Sequence, residues 1–322
     1  MIKIDKFAPV IIPTLSRYEH FRKCFESLEK CTYAEETDVY VGLDYPPSEK
    51  YIEGWKKIDR YLQEKEKSNN FKHLFVRRRE CNCGVGTINS NVALLAREVI
   101  NISDRYIATE DDNEFSPCFL DFMNQCLEKY KDDPKVVTVS GYTHPFFYDA
   151  TKPLIFTYDN SGWGMGLWQK KEEERKRTLN GFHRSILFSF RKTIKLFVNY
   201  PLLLSNLISM LTAGRIYGDT MRTCENILRG TYQIRPYVSL VRNIGVDGTG
   251  LHCDSRDQKF YETQKILELK VFPFEQQNPT LSVSKWKMWK FCLFPNTLEK
   301  IRIVLASFYF YVKFRFQNKK ES

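Results

Sequence analysis

The first half of the chain alternates short apolar segments with amphipathic helical segments. Apolar runs such as Ala8 to Pro13 and Thr37 to Leu43 have the length and composition of buried strands. Between them, Glu19 to Cys31 has apolar residues at helical spacing, and the alternation continues to the strand Val136 to Ser140. Strands that alternate with helices predict an α/β fold with a mostly parallel sheet and helices on both faces. Ligands of such sheets bind beyond the carboxyl ends of the strands.

Three acidic residues directly follow one of the predicted strands. That strand is Asp104 to Thr109, so Glu110, Asp111 and Asp112 stand at its carboxyl end. Carboxylates this close repel one another when they are ionised, and a divalent cation relieves the repulsion. Oxygen ligands suit Mg²⁺ or Mn²⁺, which take further ligands from water and substrate phosphates. A solvated acidic loop is the alternative, since acids near the N-terminus of the next helix are favourable.

The helix after these acids has the clearest start signal in the sequence. Ser116 is predicted to be its N-cap, and Pro117 its first helical residue. Apolar residues at helical spacing follow as one stripe that includes Phe119, Phe122 and Cys126.

Charge and cysteine content limit the classes of partner and compartment. The net charge is +10 and the sequence pI is about 9.0, a balance that favours phosphate-rich partners. No basic stretch resembles a disordered nucleic-acid-binding tail, so no nucleic-acid partner is expected. The nine cysteines are odd in number and include no CxxC pair. Together with an N-terminus that lacks a signal-peptide core, they predict reduced thiols in a cytoplasmic protein.

The end of the chain is both aromatic and basic. From Lys285 to Lys320, tryptophans, phenylalanines and tyrosines are interleaved with lysines and arginines. Such a composition indicates either helices packed on the preceding domain or attachment to an anionic membrane surface. We predict a catalytic domain at residues 1–265 and a membrane-associating or packing region at residues 266–322.

Several segments resemble known glycosyltransferases. Glu110 to Tyr130 (EDDNEFSPCFLDFMNQCLEKY) is similar to the acidic element of GT-A enzymes, whose fold is Rossmann-like with a mixed sheet. Gly162 to Trp168 (GWGMGLW) and Ser239 to Cys253 (SLVRNIGVDGTGLHC) resemble a bacterial group labelled hemolytic-protein-like glycosyltransferases. Gly218 to Arg222, with Ile234 to Pro236, is similar to a stretch of the inverting family 13 N-acetylglucosaminyltransferases. The matches keep their order from about residue 8 to about residue 253.

The resemblance implies a role for eight residues. Asp112 would be the direct metal ligand, and Asp219 the catalytic base that takes the acceptor hydroxyl's proton. Glu225 is the alternative base, and Asp219 is otherwise an acid at a helix N-terminus. The others would contact the donor nucleotide, its phosphates or its sugar: Arg17, Asp44, Glu110, Asp111, Trp163 and His252.

These roles imply an inverting, metal-dependent glycosyltransferase with Mn²⁺ or Mg²⁺ as cofactor. It would move a sugar from a nucleotide-diphosphate donor, expected to be a UDP-sugar, to a lipid-linked glycan. The acceptor would belong to capsule, O-antigen or similar surface polysaccharide synthesis, at the inner face of the cell membrane. Met165-Gly166 departs from the resembled loop motif, so the donor sugar stays open. Thr220 departs from the motif beside Asp219, so the assignment of the base stays open as well. A nucleotidyltransferase on a similar sheet and a non-catalytic membrane-binding protein remain the alternatives.

Overall fold

The computed structural model describes residues 3–84, 86–149, 151–177, 182–214, 216–248, 264–294 and 296–318. Within these residues the strands are β1 Val10–Thr14, β2 Asp38–Leu43, β3 His73–Arg78, β4 Arg105–Ala108, β5 Asn113–Phe115, β6 Val136–Ser140, β7 Leu154–Thr157, β8 Met165–Trp168, β9 Tyr232–Pro236 and β10 Val241–Asn243. The helices are α1 Tyr18–Glu29, α2 Ile52–Lys65, α3 Asn91–Val99, α4 Phe119–Lys129, α5 Gln169–Arg177, α6 Phe182–Phe188, α7 Phe190–Asn199, α8 Leu202–Ala213, α9 Gly218–Arg229, α10 Lys285–Leu293 and α11 Thr297–Asn318.

Eight of the described strands form one mixed sheet in the order β3-β2-β1-β4-β8-β6-β9-β7. The pairs from β3 to β4 are parallel, β8 runs antiparallel to both of its neighbours, and β6 and β9 are again parallel. The predicted fold class, a mixed and mostly parallel sheet with flanking helices, is confirmed. Because β1, β2 and β4 run in the same direction, their carboxyl ends meet at one edge.

Helices cover both faces of this sheet because side chains alternate along each strand. Val10 and Ile12 of β1 point into the main core, which also holds buried residues of α1, α2 and α4. Ile11, between them, lies in a second cluster with Leu95 and Val99 of α3. The apolar run read as a strand is therefore buried on both sides, as a central parallel strand requires.

The second half adds a helical cluster that the sequence patterns do not resolve. Helices α6 to α9 and α11 share a buried core that includes Leu196, Leu207, Cys224 and Tyr311. Residues 264–283 contain no regular helix or strand and pack on the sheet domain. Phe272 in this segment is buried in the main core, beside Phe122 of α4 at a ring-centroid distance of 4.8 Å.

The helix after the acidic run begins later than its start signal predicts. Helix α4 starts at Phe119, and Ser116 does not cap it with its side chain. The Ser116 hydroxyl instead donates a hydrogen bond to the Leu267 carbonyl oxygen. A contact with a distant segment therefore replaces the local cap.

Candidate active site

The acidic run lies where the sequence predicts, at the carboxyl end of a sheet strand. Glu110, Asp111 and Asp112 follow β4, and Arg17 follows the neighbouring strand β1. Asp44 follows β2, the next strand along. The parallel order of these strands brings the three segments to one edge of the sheet, which is the usual ligand edge of such folds.

Arg17 joins two of the three acids. Its Nη2 lies 2.7 Å from Asp111 Oδ1 and 2.6 Å from Asp112 Oδ2. The Thr14 hydroxyl, at the end of β1, donates to the other Asp111 oxygen at 2.8 Å. Burial disfavours the charge on Arg17, but the two carboxylates outweigh it and hold the pKa of Arg17 above its ordinary value. One cation thus balances part of the negative charge of the run.

The segment after β10 covers Asp112. Strand β10 pairs antiparallel with β5, so Asn243 lies opposite Asn113, next to the acidic run. The Asn243 amide donates to Asp112 Oδ1 at 2.8 Å, and the Ile244 amide donates to the Asp112 carbonyl oxygen at 2.8 Å. At Gly245, a Cβ atom would collide with the Asp112 carboxylate and the Arg17 guanidinium. Both Asp112 carboxylate oxygens are therefore in contact with protein donors.

Glu110 and Asp219 are the acids that remain open. Both side chains are exposed to solvent but have many protein atoms around them, which is the situation of a group in an open cleft. Desolvation, with the charges of Asp112, Asp219 and Asp111, raises the pKa of Glu110 to about 8 against the effect of Arg17. Met165 at the start of β8 pairs with Ala108, two residues before Glu110, and the loop just before β8 contacts Asp219 through Asn160 and Gly162. The start of α9 and the acidic run therefore lie at the same edge of the sheet.

Asp219 is held in place by a neighbouring amide. Its Oδ1 accepts a hydrogen bond from Asn160 Nδ2 at 2.8 Å, and Gly162 faces both of its carboxylate oxygens. Desolvation raises the pKa of Asp219 above its ordinary value, although Arg222, Asn160 and the Gly162 amide oppose the shift. A fixed, accessible carboxylate with raised basicity is suited to accept a proton.

The other predicted site residues have different surroundings. Asp44 is buried, and its Oδ1 accepts from the backbone amides of Tyr45 and Cys83, each at 2.9 Å. Trp163 is half-buried and packs edge-on against Tyr142, with ring centroids 4.5 Å apart. His252 lies outside the described residues.

The alternative base lies away from the acidic run. Glu225 is six residues after Asp219 on the same helix, which corresponds to about 9 Å along the helix axis. It lines a separate cavity beside Arg175. Asp219, and not Glu225, therefore lies on the side of α9 that faces the acidic run.

Sequence reasoning missed three residues that organise the cleft. Asn160 orients Asp219, and Asn243 and Gly245 close over Asp112. Asn243 and Gly245 lie inside the segment whose similarity to known enzymes was noted, but that likeness carries no contact information. Asn160 follows a short edge strand and has no local signal.

The acidic cleft suits a divalent cation by charge and by donor type. The three carboxylates of the acidic run lie beside one arginine, Arg17, and Mg²⁺ or Mn²⁺ at a diphosphate takes only one or two carboxylates beside water and phosphate. Among the described residues, no three His, Cys, Asp or Glu side chains converge into a ready-made metal site. Of the acidic run, Glu110 offers the open carboxylate, whereas Arg17 and Asn243 hold Asp112.

Comparisons with known proteins give weak structural likenesses. No family model and no curated protein matches the chain. TarS 1–349 from S. aureus matches with a TM-score of 0.37 and 17% identity, over 53% of this chain and 49% of its own. The mannosyltransferase PcManGT from Pyrobaculum calidifontis, solved with GDP-Man and Mn²⁺, matches with a TM-score of 0.36 and 14% identity, over 54% and 50%. This chain thus spans about half the length of these solved structures, and likenesses at this level do not assign it to a family.

Proposed function

We propose that this protein is a glycosyltransferase that moves a sugar from a nucleotide-diphosphate donor to a hydroxyl group with inversion. One observation carries the proposal. The acidic run, bonded to Arg17, and the accessible Asp219, oriented by Asn160, lie in one cleft at the edge of the sheet where ligands bind. The run supports recognition of a diphosphate with its cation, and Asp219 supports proton transfer.

The proposed chemistry needs one base and no covalent intermediate. As the acceptor oxygen attacks the anomeric carbon, Asp219 takes the hydroxyl proton. The new C–O bond forms while the bond to the diphosphate breaks, and the single displacement inverts the anomeric centre. The raised pKa of Asp219 supports this role because a more basic carboxylate accepts the proton more readily. The bond from Asn160 keeps one carboxylate oxygen fixed, so the other is left to face the acceptor.

Donor recognition is proposed for the acidic side of the cleft. Arg17 and Asp44 would face the nucleotide, which we propose to be UDP. Glu110 and Asp112 would hold Mg²⁺ or Mn²⁺, with Asp112 released from Arg17. The bound cation would neutralise the charge that develops on the departing diphosphate. Trp163 and His252 are proposed to contact the donor sugar and diphosphate.

The acceptor is proposed to be a lipid-linked glycan at an anionic membrane, at the cytoplasmic face. The support comes from α11, where Leu298, Leu305 and Tyr309 are 77%, 65% and 70% exposed. Exposed Lys313 and Arg302 lie on the same helix, and such aromatic and basic surfaces suit a lipid interface. In the part of the chain that the structure describes, no helix has the length and apolar character needed to cross a membrane.

Titration of UDP with and without Mn²⁺, followed by calorimetry, tests the proposed site. We expect UDP binding that requires Mn²⁺ and that weakens at least tenfold in Asp112→Asn, which keeps the size of the side chain. Asp132→Asn, at an exposed aspartate outside the cleft, is the matched control and should bind as the parent does.

Two results would count against this assignment. If Asp112→Asn binds UDP and Mn²⁺ as tightly as the parent, the acidic run is not the donor site. If a nucleoside triphosphate releases pyrophosphate in the presence of a sugar phosphate, the reaction is nucleotidyl transfer. If neither result is found, a donor screen that follows release of the nucleoside diphosphate identifies the sugar.

A further inference from the structure

A cavity of about 700 Å³ lies apart from the acidic cleft. It is enclosed by α5, by α9 and by the loop between α4 and β6, at the amino ends of the parallel strands. Its volume is within the range of roughly 300–1,000 Å³ that is usual for small-molecule sites. Helix α9 carries Asp219 at its first turn, and Arg222, Glu225, Asn226 and Arg229 of the same helix line this cavity.

Most charged groups of the cavity wall are already paired. Arg222 donates to both carboxylate oxygens of Glu172, at 2.6 and 2.7 Å. Lys171 donates to three backbone carbonyl oxygens of the loop between α4 and β6, at 2.6 to 2.9 Å. These bonds hold the side chains of the wall in place. The donors and acceptors that they leave unused therefore have fixed positions in the cavity.

Glu225 is a buried carboxylate of this wall that forms an ion pair but accepts no hydrogen bond from the described residues. The residue is 5% exposed, and its Oε1 has no hydrogen-bond partner. Arg175 Nη1 is 3.7 Å from this oxygen, which is within ion-pair range but too far for a hydrogen bond. Oε1 is closed to solvent, so a ligand in the cavity would reach Glu225 through its other carboxylate oxygen, Oε2. A hydroxyl group that donates to Oε2 would give this carboxylate a hydrogen bond.

The mixture of charges in the wall selects the class of ligand. An anion would meet Glu172 and Glu225, and a cation would meet Arg175, Arg222 and Arg229. A hydroxyl group both donates and accepts, so a neutral polyhydroxy compound can bond to carboxylates and guanidinium groups together.

We propose that this cavity is a binding site for a neutral saccharide unit, separate from the acidic cleft. The separation follows from α9, because Arg229 is ten residues beyond Asp219 and therefore about 15 Å further along the helix axis. A hexose bound at the Arg229 end of the cavity is therefore beyond hydrogen-bond reach of Asp219. Asn160 connects the two sites, because it lines the cavity and donates to Asp219.

Saccharide binding to the full chain tests the proposal, by saturation-transfer NMR and calorimetry with neutral hexoses, N-acetylhexosamines and disaccharides. We expect binding that falls at least tenfold in Glu225→Leu and is largely kept in Glu225→Gln, whose carbonyl oxygen still accepts. Glu64→Leu, at an exposed position on α2, is the matched control for the same change of side chain. A parallel UDP titration of each variant reports on the acidic cleft, so failure of one site is distinguished from failure of the other.

A second variant covers the case in which Glu225→Leu does not fold. Glu174→Trp adds bulk at the exposed edge of the cavity without changing a buried residue, and it should also reduce saccharide binding at least tenfold. The proposal is overturned if no neutral saccharide binds to the parent, or if both variants bind saccharide as the parent does. Tighter binding of inorganic phosphate or of glucosamine than of neutral sugars would overturn it as well.

Discussion

At the scale of single residues, the carboxylates of the cleft differ in what they can still bind. Asp111 and Asp112 are held by Arg17, Thr14 and Asn243, whereas Glu110 and Asp219 face an open cleft. The first two carboxylates therefore organise the site, and the second two are available to a ligand. Of the two open carboxylates, Glu110 is proposed to take part in donor recognition and Asp219 in proton transfer.

Replacement of the proposed base should separate binding from turnover. Asp219→Asn keeps the shape of the side chain but removes its capacity to accept the proton, so we expect turnover to fall roughly 100- to 10,000-fold. The affinity for UDP should change little, because Arg17 and the acidic run are untouched. Initial rates with the identified donor and acceptor, beside calorimetric UDP binding, provide the measurement. Undiminished turnover in this variant would place the base elsewhere.

A buried histidine makes folding sensitive to acid. Burial, followed by the charges of Arg235 and Lys300, lowers the pKa of His144 from 6.5 to about 3. The folded state thus keeps His144 neutral, while the unfolded chain takes up a proton below pH 6.5. Stability from this residue is therefore lost as the pH falls from 6.5 towards 3, by up to about 2 kcal/mol at pH 5.

Urea unfolding at pH 7 and pH 5 measures this contribution. His144→Asn retains an acceptor for the Phe146 amide, which His144 Nδ1 binds at 3.3 Å, and removes the titrating ring. We expect a smaller loss of stability between the two pH values in this variant than in the parent. Equal losses in the His144 variant and the parent would contradict the assignment.

At the scale of elements, strand periodicity predicts the sheet well, and local signals predict the rest less well. Strand β6 has the bounds that the pattern indicates, Val136–Ser140. Helix α4 starts late because Ser116 bonds to a distant carbonyl group. Helix α8 is apolar over most of its length because it packs among other helices, so it lacks the one-sided pattern that marks a surface helix.

The sequence predicts only those residues of the candidate site that directly follow a strand. The alternation of elements predicts that Glu110 to Asp112 end a strand, and the parallel order brings Arg17 to the same edge. The contacts of Asn243 with Asp112 and of Asn160 with Asp219 join segments far apart in the chain. No local periodicity encodes such contacts, because they depend on the packing of complete elements.

Helix α11 provides the test of membrane attachment. Val304, Phe308 and Tyr311 pack towards the helical cluster, so removal of the whole tail would expose that cluster. Leu305→Glu changes only an exposed position and should weaken partition to anionic liposomes several-fold, because a charge in the interface is unfavourable. Ile88→Glu, at a residue that is 79% exposed, is the matched control. Unchanged partition in a sedimentation assay would leave α11 as a packing element.

At the scale of the whole molecule, the segment beyond residue 265 contributes to the main core. Phe272 is 2% exposed and packs between Phe122 and Tyr237, and its amide donates to Asp121 Oδ2 at 2.7 Å. That residues 1–265 form the catalytic domain remains a prediction. In the folded protein, the segment after residue 265 and the sheet domain share buried side chains, so they fold as one unit here.

Truncation of Phe272 measures how much this segment stabilises the fold. We expect Phe272→Ala to lower the free energy of unfolding by about 3–5 kcal/mol, because the lost ring leaves a cavity between two aromatic neighbours. Leu281→Ala, at a partly exposed residue of the same segment, should cost much less. Urea unfolding followed by far-UV circular dichroism gives both values. A cost below about 1 kcal/mol for Phe272→Ala would show that the segment is only loosely docked.

The pairing of β10 with β5 has a consequence for biosynthesis. Asn243 contacts Asp112 across 131 positions of sequence, so the acidic run leaves the ribosome long before the residues that close over it. At typical rates of synthesis, that interval is on the order of 10 seconds. During this time Asp112 lacks the Asn243 amide and the Gly245 backbone beside it. A nascent or prematurely terminated chain therefore carries the acids without a finished cleft, and the cover over Asp112 forms only once the chain has passed Gly245.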